Sequence, residues 1–159
     1  MRADLYWLIR LLTGRREPGR DLAVESSAPE SDAGGYFSTW MRAWSRRVAM
    51  ARALAVIRHE LKASARRTKS MRFTEARALV PEWAFHPDTA KADLERALLS
   101  IDVFPRAALL LSVFEEMAIP DTAVLLDASA ELVRKAQAVG LQQLASNIAG
   151  MQPRTLNYA

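Results

Sequence analysis

Few side chains in this 159-residue chain are equipped for catalysis. It has no cysteine, which excludes thiol nucleophiles, disulfides and cysteine-ligated metals, and its two histidines, His59 and His86, stand far apart with no metal-ligand spacing. Glu115 and Glu116 are paired in sequence, but neighbours at a helix end point apart, so a solvated turn is their expected role. His59, beside Glu60, reads as a surface histidine. No set of nucleophile, base and metal ligands can be assembled; the chain is not expected to be an enzyme, and no cofactor is expected. The abundant chemistry is cationic. Between Trp40 and Arg72 stand ten basic residues, and Glu60 is the only acid among them. Such a block attracts polyanions, because Lys and Arg neutralise phosphates and release counterions. A solvated helix face is the bland alternative for any run of charge.

The elements that must position these residues follow from composition and periodicity. A 50% hydrophobic and 25% charged chain folds. The net charge of +4 conceals an asymmetry: residues 1–72 hold 15 Lys and Arg against 7 Asp and Glu, a net +8, whereas residues 73–159 hold 7 against 11, a net −4. No run reaches the roughly 18 to 20 apolar residues of a membrane span, and the N-terminal stretch lacks a cleavage site. A cytoplasmic location without membrane contact is the expectation.

Leu5, Leu8, Leu11 and Leu12 recur at helical spacing up to Gly14, a natural stop. Residues 15–35, rich in Pro, Gly, Ser and acids, predict a loop. Tyr36 to about Arg67 predicts a long helix with one break. The polar run from Thr68, followed by Pro81 and Pro87, predicts a linker over 68–87. Beyond it, Asp88 or Thr89 caps a helix to Ser100, and three more helices are predicted over 105–116, 120–126 and 129–145, with a tail at the end. The fold class is therefore all-α: two small helical domains, 1–67 and 88–150, joined by a linker.

The second half carries the more specific pattern. A short helix, a tight connection at Asp127-Ala128, and a second helix capped by Ser129 place Ala123 where two helices cross, with Leu126 and Val133 on either side of the turn. That is the pattern of a helix-turn-helix. The stretch FPRAALLLSVFEEMAIPDTAVLLDASAELVRKAQAVGLQQL, about forty residues, resembles the fourth region of the RNA polymerase sigma factors, in particular the small two-domain extracytoplasmic-function group. Pro105 and Arg106 stand where that region opens, Asp121 and Ala123 where its short helix begins and packs, Ser129 at the turn, and Val133-Arg134 where Val-Lys is usual. In the first half, LLTG, then Asp21 to Glu25, then Phe37-Ser-Thr-Trp40-Met41 and the basic helix follow the order of the family's second region. The chain departs from the pattern at SSAPESDAGG, at Ala118 in place of a hydroxyl cap, at Gln137 in an apolar position, and at Gly140, which costs about 1 kcal/mol against Ala in a helix interior.

The resemblance implies a sigma-like transcription initiation factor whose partners are core RNA polymerase, promoter DNA and an antagonist of the anti-sigma type. It implies DNA contact by Ala130, Glu131, Arg134 and Lys135 of the second helix and by Arg46, Arg47, Arg58, Arg66 and Arg67 of the basic one, and polymerase contact by Asp21, Leu22 and Glu25. Around the basic helix the arginines read as distributed, so that only some share a face. Trp40 and Trp44, four apart, read either as core or as an aromatic wedge for an unstacked base. With only Arg134 and Lys135 basic in the second helix, the alternative is a degenerate interaction module or regulator without promoter recognition.

Overall fold

A computed structural model describes residues 2–14, 36–72 and 90–151, and the regular structure among them is helical throughout. In chain order the helices are α1 (Arg2–Thr13), α2 (Tyr36–Val56), α3 (Arg58–Ser70), α4 (Lys91–Leu99), α5 (Val103–Leu109), α6 (Ile119–Leu126) and α7 (Ala130–Met151). The all-α expectation holds. The loop expected at 15–35, most of the linker, His86, the cap at Asp88 or Thr89 and the tail lie outside the described residues. No helix among those described is long and apolar enough to cross a membrane.

Local chemistry sets the boundaries. Gly14 ends α1 at φ +69°, and its N–H donates to the Arg10 carbonyl at 2.8 Å, a conformation that glycine adopts without strain. The expected single break in the basic segment falls at Ile57, between α2 and α3. The polar run from Thr68 reads as linker, but the helix continues to Ser70. Thr68 is buried and its hydroxyl donates to the Ser64 carbonyl at 3.0 Å, so one face of this stretch belongs to the core. The helix expected from Pro105 starts earlier, at Val103, because the Asp102 side chain accepts the Val103 N–H at 2.9 Å and caps it.

Phe104 to Leu111 are buried one after another, which makes α5 a helix enclosed on every side. Its apolar run has no polar stripe to offer solvent, so the other helices must surround it; burying Phe104 alone contributes about 1.5–3 kcal/mol. Leu8, Leu11 and Leu12 of α1, Met50 and Leu54 of α2, Leu61 of α3, and Val133, Ala136, Leu144 and Ile148 of α7 join α5 in one buried cluster. The expected division at 68–87 therefore separates two stretches of sequence whose helices share a core. After Leu109 the helix widens into a π turn over Leu110–Phe114, closed by the Glu115 N–H on the Leu110 carbonyl, and Val113 and Phe114 are left partly exposed.

Gly140, costly for a helix interior, has its reason in this packing. A Cβ there would lie 2.9 Å from the Pro105 carbonyl oxygen and 3.2 Å from the Leu109 Cβ, so α7 crosses α5 at a distance only glycine allows. Replacing it by alanine relieves about 1 kcal/mol of helix propensity but forces two backbones apart, and overpacking of this kind costs about 1–3 kcal/mol. Gly140→Ala is therefore expected to lower stability, with Gly140→Val lowering it further, as measured by urea unfolding.

Candidate nucleic-acid interface

Along α3 the buried residues Leu61, Ser64 and Thr68 define an inner face. Arg58, Lys62, Arg66 and Lys69, spaced four, four and three residues apart, fall together on the outer one, and all four are exposed. At about 1.5 Å of rise per residue, successive cations stand about 4.5 to 6 Å apart along the helix axis. None of the four has a carboxylate partner among the described residues. The arginines of α2 and α3 together are distributed, as expected; within α3 the basic residues nonetheless form one continuous stripe, to which Lys62 and Lys69 add charges beyond those the family resemblance implies.

Two of the expected DNA-contacting residues point elsewhere. Arg46 of α2 donates from Nε and Nη2 to the two carboxylate oxygens of Glu115 at 2.6 and 2.5 Å. Arg67 of α3 makes the same two-pronged contact with Asp102 at 2.9 and 2.8 Å. The bond with Glu115 holds the Arg46 guanidinium above its ordinary pKa. Glu115 is therefore not the solvated turn residue predicted for it, whereas Glu116, at φ +51°, is exposed. Arg47 approaches Asp121 at 3.5 Å with both side chains largely in solvent, a contact of little energetic weight. The described structure thus divides the predicted basic set: Arg58 and Arg66 on the open stripe, Arg46 and Arg67 clamped to carboxylates of the acidic half, and Arg47 between.

In the second half, α6 ends at Asp127 in the left-handed conformation (φ 51°, ψ 49°), and the Ser129 hydroxyl accepts the Leu132 N–H at 3.2 Å, capping α7 as its sequence predicts. Val133 is buried, Glu131 and Arg134 are exposed, and Ala130 is half-buried against the core. Lys135 is engaged within the chain: its Nζ donates to the carbonyls of Lys69 and Met71 at 3.0 and 2.5 Å, at the electronegative end of α3. This contact brings exposed Arg134 to the same end of the molecule as Lys69. Asp21, Leu22 and Glu25, the expected polymerase contacts, lie outside the described residues. Trp40 and Trp44 are each 52% exposed, so the core reading of the pair is corrected: they stand on the outer side of α2, away from Ala49, Met50 and Ala53.

Sequence reasoning misses the acidic partners. Asp102 precedes an apolar run, which is an N-cap signal, but nothing local marks it as the partner of an arginine 35 residues earlier. Glu95, which accepts from the Trp7 indole at 2.6 Å and pairs with Arg10 at 3.2 Å, lies 88 residues from that tryptophan and is equally silent.

The two bonds from Arg67, with the Ser64 hydroxyl and the Val103 N–H, hold the Asp102 carboxyl below its ordinary pKa. A depressed carboxyl contributes stability that is complete above its unfolded pKa of about 3.9 and is lost as pH falls through the folded value. Asp102→Asn keeps a capping oxygen but not the charge, so it is expected to lower the melting temperature at neutral pH. That difference from wild type should shrink as thermal melts are taken to progressively more acid pH. No protein-family model, curated protein or solved structure matches the chain, so its function is read from this geometry together with the sequence.

Proposed function

We propose that the chain is a sigma-like transcription regulator that holds duplex DNA chiefly by its phosphates and works together with core RNA polymerase in the cytoplasm. The observation that carries this reading is the α3 stripe. Four exposed cations at intervals of about 4.5 to 6 Å with no carboxylate partner among the described residues form an electrostatic track suited to a phosphate backbone. Arg134, at the Lys69 end of the track, extends it toward the start of α7. In this reading α6 and α7 are the two arms of a helix-turn-helix, and the exposed Glu131 and Arg134 are the side chains of α7 available to base edges. No covalent step is required. An antagonist of the anti-sigma type would compete for the same surfaces.

One observation favours a regulator without promoter recognition over a full initiation factor. Lys135, one of two basic residues in the reading position, already donates to two carbonyls, and Arg46 and Arg67 are occupied by Glu115 and Asp102. Phosphate contacts position a protein but do not read sequence, so affinity is expected to depend strongly on salt and weakly on the duplex chosen.

Fluorescence anisotropy with labelled duplexes over a range of salt concentrations tests the reading. Reversing Arg58, Lys62, Arg66 and Lys69 to Glu should abolish binding at low salt. Neutralising them singly should flatten the plot of log affinity against log salt by about 0.9 for each phosphate that is no longer neutralised. Retention of DNA by the fourfold variant would sink the assignment. Retention on core polymerase followed by run-off transcription then separates the two forms: start sites with this chain added make it an initiation factor, and retention without start sites makes it the regulator.

A further inference from the structure

The short helix α6 turns one apolar residue outward. Thr122, Ala123 and Leu126 are buried, whereas Val124, set between them, is 81% exposed. On α2, Trp44 and Trp40 are exposed as well, one helical turn apart. Apolar residues scattered singly over a surface need no explanation, but a group of them marks a place where another molecule sits. Whether these three form a group depends on how α2 lies against α6.

The contact between Arg47 and Asp121 joins the two helices at the surface, Nη2 to Oδ2 at 3.5 Å. Trp44 precedes Arg47 by three residues and Val124 follows Asp121 by three, a spacing that sets each apolar side chain beside its charged neighbour on the same helix face. The tryptophans, the valine and the ion pair therefore make one patch across the line where α2 meets α6. The Arg47 and Asp121 side chains are 60% and 53% exposed, so both remain open to a second molecule. Because the patch holds a cation and an anion side by side, Asp121 opposes a purely anionic surface and Arg47 a purely cationic one. What suits it is a surface that carries the same apolar residues and the same two charges.

We propose that this patch is the interface of a symmetric dimer, with a second copy of the chain as its occupant. A two-fold axis through the patch sets Arg47 against Asp121 of the partner subunit and Asp121 against the partner's Arg47, while the apolar residues of the two copies close on each other between these charges. A carboxylate accepts through two oxygens, so Asp121 can keep its own arginine and take the second. Tryptophan and arginine are also the residue types enriched where protein surfaces meet. Three partly exposed apolar side chains cover less than the roughly 800 Å² a side of a standard interface, so the dimer is a reversible one. The inference does not rest on DNA binding, since no residue of the α3 stripe belongs to the patch.

Sedimentation equilibrium of the full chain without DNA, from about 1 µM to about 1 mM, tests the proposal over the affinities open to small interfaces. The mass should rise with concentration and level off at two copies, because a two-fold contact closes on itself. Val124→Glu, at a site so exposed that the fold does not need it, should weaken the dimer by about tenfold or more. Arg47→Asp and Asp121→Arg should each weaken it singly, and the two together should restore it. A mass that stays at one copy throughout, a mass that climbs past two, a dimer untouched by Val124→Glu, or charge reversals that neither weaken it singly nor restore it together would each overturn the assignment.

Discussion

A helix buried on every side cannot rest on a surface; it has to be surrounded. From Phe104 to Leu111 the chain offers water no stripe, and that constraint organises the rest of the molecule. α7 closes one side through the contact at Gly140, α3 and the end of α2 close another through Leu61 and Ile57, and α1 covers what remains with Leu8, Leu11 and Leu12. The partners of α5 come from both halves of the sequence.

Placing a basic segment beside an acidic one then becomes an electrostatic consequence of hydrophobic packing. Arg46 with Glu115, Arg67 with Asp102 and Arg10 with Glu95 all join the positive first half to the negative second half. The Arg46 and Arg10 pairs are partly buried and the Arg67 pair lies at the surface, while the outer side of α3 keeps its positive charge. The asymmetry visible in the composition is thus partly neutralised within the fold, and four of the remaining cations line the outer side of α3.

Much of this is legible in the sequence, and the failures have a common cause. Period, glycine stops and cap residues are local, and they locate α1, the break in the basic segment, the short α6 and the cap of α7 at Ser129. The run from Thr68 to Ser70 misleads because a helix with one thin buried edge and a charged outer face has the composition of a linker. Trp40 and Trp44 mislead in the opposite sense, since aromatic residues at helical spacing usually face a core. Arg46 and Glu115, 69 residues apart, show the limit most clearly. No periodicity says which distant carboxylate an arginine will meet, because that depends on how separate apolar stripes dock.

The wide turn at Leu110–Phe114 holds one residue more than an α-helical turn of the same rise. It acts like slack in a rope. A residue removed there would turn Glu115 by about 100° around the helix axis relative to Phe104 and Leu109. What changes is the compass bearing of Glu115, and with it the grip on Arg46, whereas the pairs of Asp102 and Glu95 upstream of the turn are untouched.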